Sequence, residues 1–200
     1  MAARADIIEE SVATIARLHD ALVETAAIEP PLLLNERYAR LAPVIVATHD
    51  LDRMARYAAG RAWRGWSESD QARFAEAFGR LSIATYASRF AGIGRENFEI
   101  LGAEPDRGEA VRVHALIHRS DDDPVALDYV LEREAAAGPD AAPDSDTAGS
   151  EAAAGPRIVM VYNDGVSELS MRRSEYSAIL EAGSLDDLLA EIEAQIAKLD

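Results

Sequence analysis

Hydrophobic positions along the chain change their spacing twice, from helical to alternating and back to helical. Ile8, Val12, Ile15, Leu18 and Leu22 recur every three or four residues, which lines them along one stripe of a helix. With Asp6 and Glu9 as a capping pair, the spacing predicts a first helix over 6–27, stopped by Pro30 and Pro31. A second helical stretch covers 33–48, with a break or kink expected at Pro43. Asp50 is placed to cap a short helix ending near Gly60. Ser67, with Asp70 three residues on, starts a long helix that ends around Gly92–Gly94.

The period then falls to two. Val111, Val113, Ala115 and Ile117 alternate with Arg112, His114, Leu116 and His118. Val125, Leu127, Tyr129 and Leu131 alternate with Ala126, Asp128, Val130 and Glu132. These are two half-buried strands, joined by a turn at Ser120-Asp121-Asp122-Asp123-Pro124. Weaker strands cover 97–101 and 158–162. The Asn163-Asp164-Gly165 turn leads to a short extended piece and a helix from about Ser174. A last helix opens at Ser184 with Asp187 at its capping position, and carries Leu185, Leu188, Leu189, Ile192 and Ile196 along one face.

Residues 134–156 interrupt this order with nine Ala, three Gly, three Pro and no branched aliphatic or aromatic side chain. Such a segment buries too little apolar surface to offset its ordering entropy, so it reads as a mobile low-complexity loop. The fold class is therefore α+β: one domain over 1–200, with helices packed on a four-stranded antiparallel sheet. The sheet strands are expected at 97–101, 110–119, 124–133 and 157–163, against the 67–90 helix.

Composition narrows the function. With 48% hydrophobic residues, the chain can bury a sizeable core, and its net charge of −16 opposes nucleic-acid binding and broad docking on anionic membranes. The absence of Cys removes disulfides and thiolate chemistry. No run of 18 apolar residues exists, so no segment is expected to span a membrane. The start, MAARADIIEESVA, lacks the apolar stretch of a signal peptide, and the residues alone point to the cytoplasm.

Candidate chemistry is sparse. His114 and His118 share a strand face but stand roughly 13 Å apart, too far for one metal; His19 and His49 read as structural. Gly92-Ile93-Gly94 ends a helix instead of opening one, against a nucleotide site. Asp128-Tyr129 is the most enzyme-like pair, although strand neighbours point to opposite faces. Phe74, Phe78, Leu81, Ile83, Tyr86 and Phe90 span more than one helix face, as plain core or as the lining of a tunnel. Arg53, Arg56, Arg61 and Arg64, together with Arg172-Arg173, concentrate positive charge. They fit salt bridges to the surplus carboxylates, a mouth for a head group, or a docking face.

Four blocks in order carry a family resemblance: DLDRMARYAAGRAWR, SESDQARFAEAFGRLSIATYASRF, PVALDYVL and GVSELSMRRSEY. In this order they resemble the MlaC family, the toluene-tolerance periplasmic lipid carriers, over most of the chain. The last two blocks look most like its hopanoid-associated HpnM branch. The resemblance implies a curved sheet enclosing an apolar cavity, no catalytic residue, no metal and no cofactor. It also implies a soluble periplasmic carrier, with an export signal removed, that moves phospholipid or hopanoid-type lipid between the inner and outer membranes. Its partners would be an inner-membrane ABC transporter complex and an outer-membrane lipoprotein complex. A small-molecule isomerase of similar cone shape and a non-catalytic adaptor are the alternatives. Strand parity then nominates Val113, Ala115, Ile117, Leu127, Tyr129 and Leu131 as lipid-facing, with Phe78, Tyr86 and Phe90 opposite them. Two departures from the family pattern fall at the last hairpin: the strand lacks the Trp that usually opens it, here Pro156-Arg157-Ile158, and has Met160 where the family often has Asp, and the loop of residues 134–156 is longer than usual.

Overall fold

The computed structural model describes residues 2–91, 97–118, 123–133 and 155–199. Four helices come first: α1 (Ala2–Ala26), α2 (Leu34–Thr48), α3 (Leu51–Ala59) and, after a single 3-10 turn at Ala62–Gly65, α4 (Glu68–Arg89). An antiparallel meander follows, with β1 (Phe98–Pro105), β2 (Val111–Ile117), β3 (Val125–Glu132), β4 (Arg157–Asn163) and the two-residue β5 (Val166–Ser167) paired in sequence order. Two helices close the chain, α5 (Glu168–Ala182) and α6 (Leu185–Ala197).

Local chemistry accounts for most boundaries. The Ser67 and Ser184 hydroxyls accept from the Asp70 and Asp187 amides, and Asp187 returns a bond to the Ser184 amide, completing a capping box. Asp50 accepts from the Arg53 amide at the start of α3, and Gly60, at φ 60°, ends it in a conformation a side chain would strain. Asp164 and Gly165 both take positive φ and close the tight β4–β5 hairpin.

The apolar residues form two main cores. In the first, Ile15, Leu18 and Leu22 of α1 and Leu41 and Ile45 of α2 cover the inner face of β2 and β3. In the second, Met54, Phe74, Phe78, Tyr176, Leu188 and Ile192 knit α3, α4, α5 and α6 together.

Several expectations need correction. The sheet has a fifth strand, because the extended piece after Gly165 pairs with β4. That leaves α5 to start at Glu168, where Ser167 accepts from the Ser170 amide, instead of near Ser174. The first helix begins at Ala2, so Asp6 and Glu9 lie within it. Helix α2 runs through Pro43 without a break. Pro43 and Ala39, whose carbonyl loses its partner, are both exposed, so water can replace the missing bond. β1 extends to Pro105 by way of a bulge between Ile100 and Gly102. The helices that cover the sheet are α1 and α2; α4 reaches the sheet core only through Ile83, Tyr86, Ala87 and Phe90 at its end. Being apolar on most sides, α4 lies chiefly among other helices. The turn at 120–122, the helix end at Gly92–Gly94 and residues 134–154 of the loop lie outside the described residues.

Candidate functional site

The register of β2 on β3 sets Ala115 opposite Leu127, Val113 opposite Tyr129 and Ile117 opposite Val125, all on the inner face. Val113, Ala115 and Leu131 are fully buried in the core under α1. Toward the Ile117–Val125 end, the last turn of α4 and the start of α5 close over the sheet. There they leave a cavity of about 270 Å³.

Tyr86, Phe90, Ile117, Val125, Leu127 and Tyr129 supply its apolar walls, with Val161 of β4. Thr85, Arg89, Asn163 and Glu168 add polar groups, and Arg89 Nη1 pairs with Glu168 Oε1 at 2.5 Å. The Tyr86 ring stacks on Phe90 with centroids 5.6 Å apart, and Phe90 lies 5.9 Å from Phe98.

Two buried histidines hold the two tyrosines. His19 Nε2 lies 3.1 Å from the Tyr129 hydroxyl, and the His19 ring stacks on Phe98 at 4.0 Å. His49 Nε2 lies 3.0 Å from the Tyr86 hydroxyl. The Ile45 carbonyl, 3.1 Å from His49 Nδ1, can only accept, so Nδ1 carries the proton and Nε2 accepts from Tyr86. Burial pushes both imidazoles down to about 4, so they are neutral at neutral pH, and it pushes both phenols up. The cavity is thus walled by uncharged rings whose hydroxyls are already bonded behind them.

Of the nine nominated residues, Tyr86, Phe90, Ile117, Leu127 and Tyr129 converge on this cavity. Val113, Ala115 and Leu131 keep the inward orientation that parity gives them but sit in close-packed core. Phe78, expected opposite the strands, belongs instead to the helix–helix core, 6.2 Å from Phe74. Its position one α4 face away from Tyr86 decides this. Val125 shares the parity signal, whereas the inward turn of Val161 follows a bulge at β4 that period two does not encode. Arg89 and Glu168 are brought together only by tertiary packing.

The outer sheet face is different in kind. Asp128 points there, away from Tyr129, with Oδ1 2.6 Å from His114 Nδ1, so the two cannot act on one substrate. His118 pairs with Glu99 at 2.8 Å. Among the described residues, no three acidic or histidine side chains group to hold a metal, and no helix is long and apolar enough to cross a membrane. Arg53, Arg56, Arg61 and Arg64 line a groove on this side with Arg107, Arg112 and Arg173. Arg172 turns away, 3.3 Å from the Tyr176 hydroxyl. Met160, one of the departures from the family pattern, sits in the groove floor and does not line the cavity.

The fold resembles that of a phospholipid-binding protein from Ralstonia solanacearum, solved in complex with a phospholipid. The TM-score is 0.70 at 22% sequence identity, over 94% of this chain and 97% of that one. No curated protein matches the sequence. Residues 17–140 match the family described as MlaC protein. That match spans more than half the chain, from α1 past the end of β3, and the chain belongs to the MlaC family.

Proposed function

We propose that the protein is a lipid carrier that takes the acyl tails of a phospholipid into the cavity between the end of α4 and the inner sheet face. The observation that carries this reading is the cavity itself, an apolar space walled by Tyr86, Phe90, Ile117, Leu127 and Tyr129 in a protein of the MlaC family. The phospholipid complex of the Ralstonia protein, whose fold this chain resembles, supports the same class of cargo.

The energetics suit a carrier. Each buried methylene is worth about 0.8 kcal/mol against water, so two ~16-carbon tails amount to roughly 25 kcal/mol, and no such lipid crosses water unaided. Ligand sites run from about 300 to 1,000 Å³, so a cavity of about 270 Å³ suits part of one tail. Loading therefore requires the helices to move off the sheet, and the tail enters as the space opens. Arg89 and Glu168 would then meet the polar end of the lipid.

Membrane and carrier hold the tails at nearly equal free energy, so direction comes from partners. In this reading those are an ABC transporter complex in the inner membrane and a lipoprotein complex at the outer membrane, with the carrier in the periplasm between them. The likeness of GVSELSMRRSEY and PVALDYVL to the hopanoid-associated branch adds a triterpenoid as a second candidate cargo. No chemistry on the lipid is required.

Organic extraction and native mass spectrometry of the purified protein test the proposal. The expected result is a bound phospholipid, or uptake of one from vesicles. A protein that neither retains nor accepts lipid under either condition refutes it.

A further inference from the structure

On the outer face of the sheet, back to back with the cavity, α3, the 3-10 corner, the β1–β2 turn and α5 enclose a groove of about 1060 Å³. Seven arginines line it against two carboxylates, Asp106 and Glu132, a local balance of +5 in a chain whose net charge is −16. Part of that charge is answered internally: Arg53 reaches Glu132 at 2.7 Å, and Arg112 reaches Asp106 at 2.7 Å. Arg56, Arg61, Arg64, Arg107 and Arg173 form no ion pair among the described residues.

These guanidinium groups are also positioned. Arg56 lies over the Trp63 ring at 5.6 Å and Arg173 over Tyr57 at 5.3 Å, while Arg112 lies over Tyr162 at 4.8 Å. Arg173 runs close along Gly60, where a Cβ would stand 2.9 Å from its Nε, so the bare backbone there leaves room for the side chain. The floor between the arginines is apolar, formed by Ala110, Val130, Val159 and Met160.

We propose that this groove is a docking site for an acidic polypeptide segment of a partner protein, one that carries apolar side chains between its carboxylates. Charge complementarity selects the sign of the partner. The apolar floor selects its character, because free phosphate has no apolar surface to place there. Arginines set beside Trp63 and Tyr57 match the residue types that dominate protein–protein binding energy. An anionic bilayer is disfavoured: the local positive field decays within about 10 Å, while the rest of the chain is strongly acidic. The site occupies the opposite sheet face from the cavity, so a partner can bind there without covering it. The proposal holds whether or not the cavity takes lipid.

Trp63 and Trp66 are the two tryptophans of the chain, and their rings lie 6.1 Å apart at this corner, so intrinsic fluorescence reads the groove directly. The full chain is titrated with a Trp-free peptide of Glu and Leu in amphipathic helical order, and with a Lys and Leu peptide of the same pattern. Saturable binding of the acidic peptide alone, weakened by salt, is expected. The exposed Arg61→Glu/Arg64→Glu pair, and separately Arg107→Glu on the opposite wall, should each weaken it by about tenfold or more while the melting temperature holds. Absence of binding, or binding indifferent to these variants, overturns the proposal. So does displacement of the peptide by equimolar pyrophosphate, which would assign a phosphate site. Co-sedimentation with phosphatidylglycerol vesicles that the same variants abolish would assign a membrane surface, and self-association that they abolish would assign a second copy of the chain.

Discussion

The Tyr129 hydroxyl lies 3.1 Å from His19 Nε2, joining the centre of β3 to α1 across 110 residues of chain. The bond sets the Tyr129 ring as a cavity wall and holds a helix that covers the sheet. Tyr86 and His49 repeat the arrangement between α4 and the end of α2. Replacing Tyr129 with Phe keeps the ring and leaves a buried imidazole nitrogen without its partner, at a cost of about 1–3 kcal/mol. Urea denaturation should show that loss in Tyr129→Phe, and a similar one in Tyr86→Phe. Unchanged stability in both would mean the pairs contribute nothing to the fold.

The same histidines predict an acid response. Their folded values are about 4 against 6.5 for the free side chain, so the unfolded state binds protons first as pH falls. Their contribution is complete above about pH 6.5, declines as pH drops toward 4, and levels off below it. At full effect it is on the order of 3 kcal/mol for each histidine. Hydrogen bonds hold the Asp106 and Asp187 carboxyls below their ordinary 3.8, so their share is lost at lower pH than this window. Denaturation at pH 7 and pH 5 should show marked destabilisation at pH 5, reduced in His19→Gln.

Filling the cavity should separate binding from stability. Val125 is half-buried at the cavity wall, and Val125→Trp places its bulk in that space. Lipid retention by native mass spectrometry is expected to fall with little change in melting temperature. Ala115 is 2% exposed in close-packed core, so Ala115→Trp should cost about 1–3 kcal/mol through overpacking. The reverse pattern would place the tail under α1.

Phe74 is the hub of the second core. Its ring meets Trp66 at 5.2 Å, Tyr176 at 5.8 Å and Phe78 at 6.2 Å, with no exposed surface. Phe74→Ala should cost about 3–5 kcal/mol in chemical denaturation, with a red shift in tryptophan emission as Trp63 and Trp66 lose their packing. A cost below 1 kcal/mol would show that the four helices do not depend on this ring.

Periodicity and caps made the elements legible. Strict alternation over 111–117 and 125–131 sets which side chains face the core, because a one-residue slip would bury Arg112, His114 and Asp128. Ser67 with Asp70 and Ser184 with Asp187 mark helix starts through bonds that span three residues, so their geometry is local. The four ordered sequence blocks indicated the family. Other features depended on long-range placement. Phe78 and Tyr86 are both apolar positions of α4, about 80° apart around its axis, and which neighbour each meets, α5 or β3, is set by how the helices pack and not by their spacing. His19 and His49 became ring anchors only when folding set a tyrosine beside each. Arg89 and Glu168, 79 residues apart, meet at the cavity only in three dimensions. The chain's order of apolar and polar residues determines local shape because that chemistry acts over a few residues. Cavity and groove arise from distances between segments, and those are set only when the two cores pack.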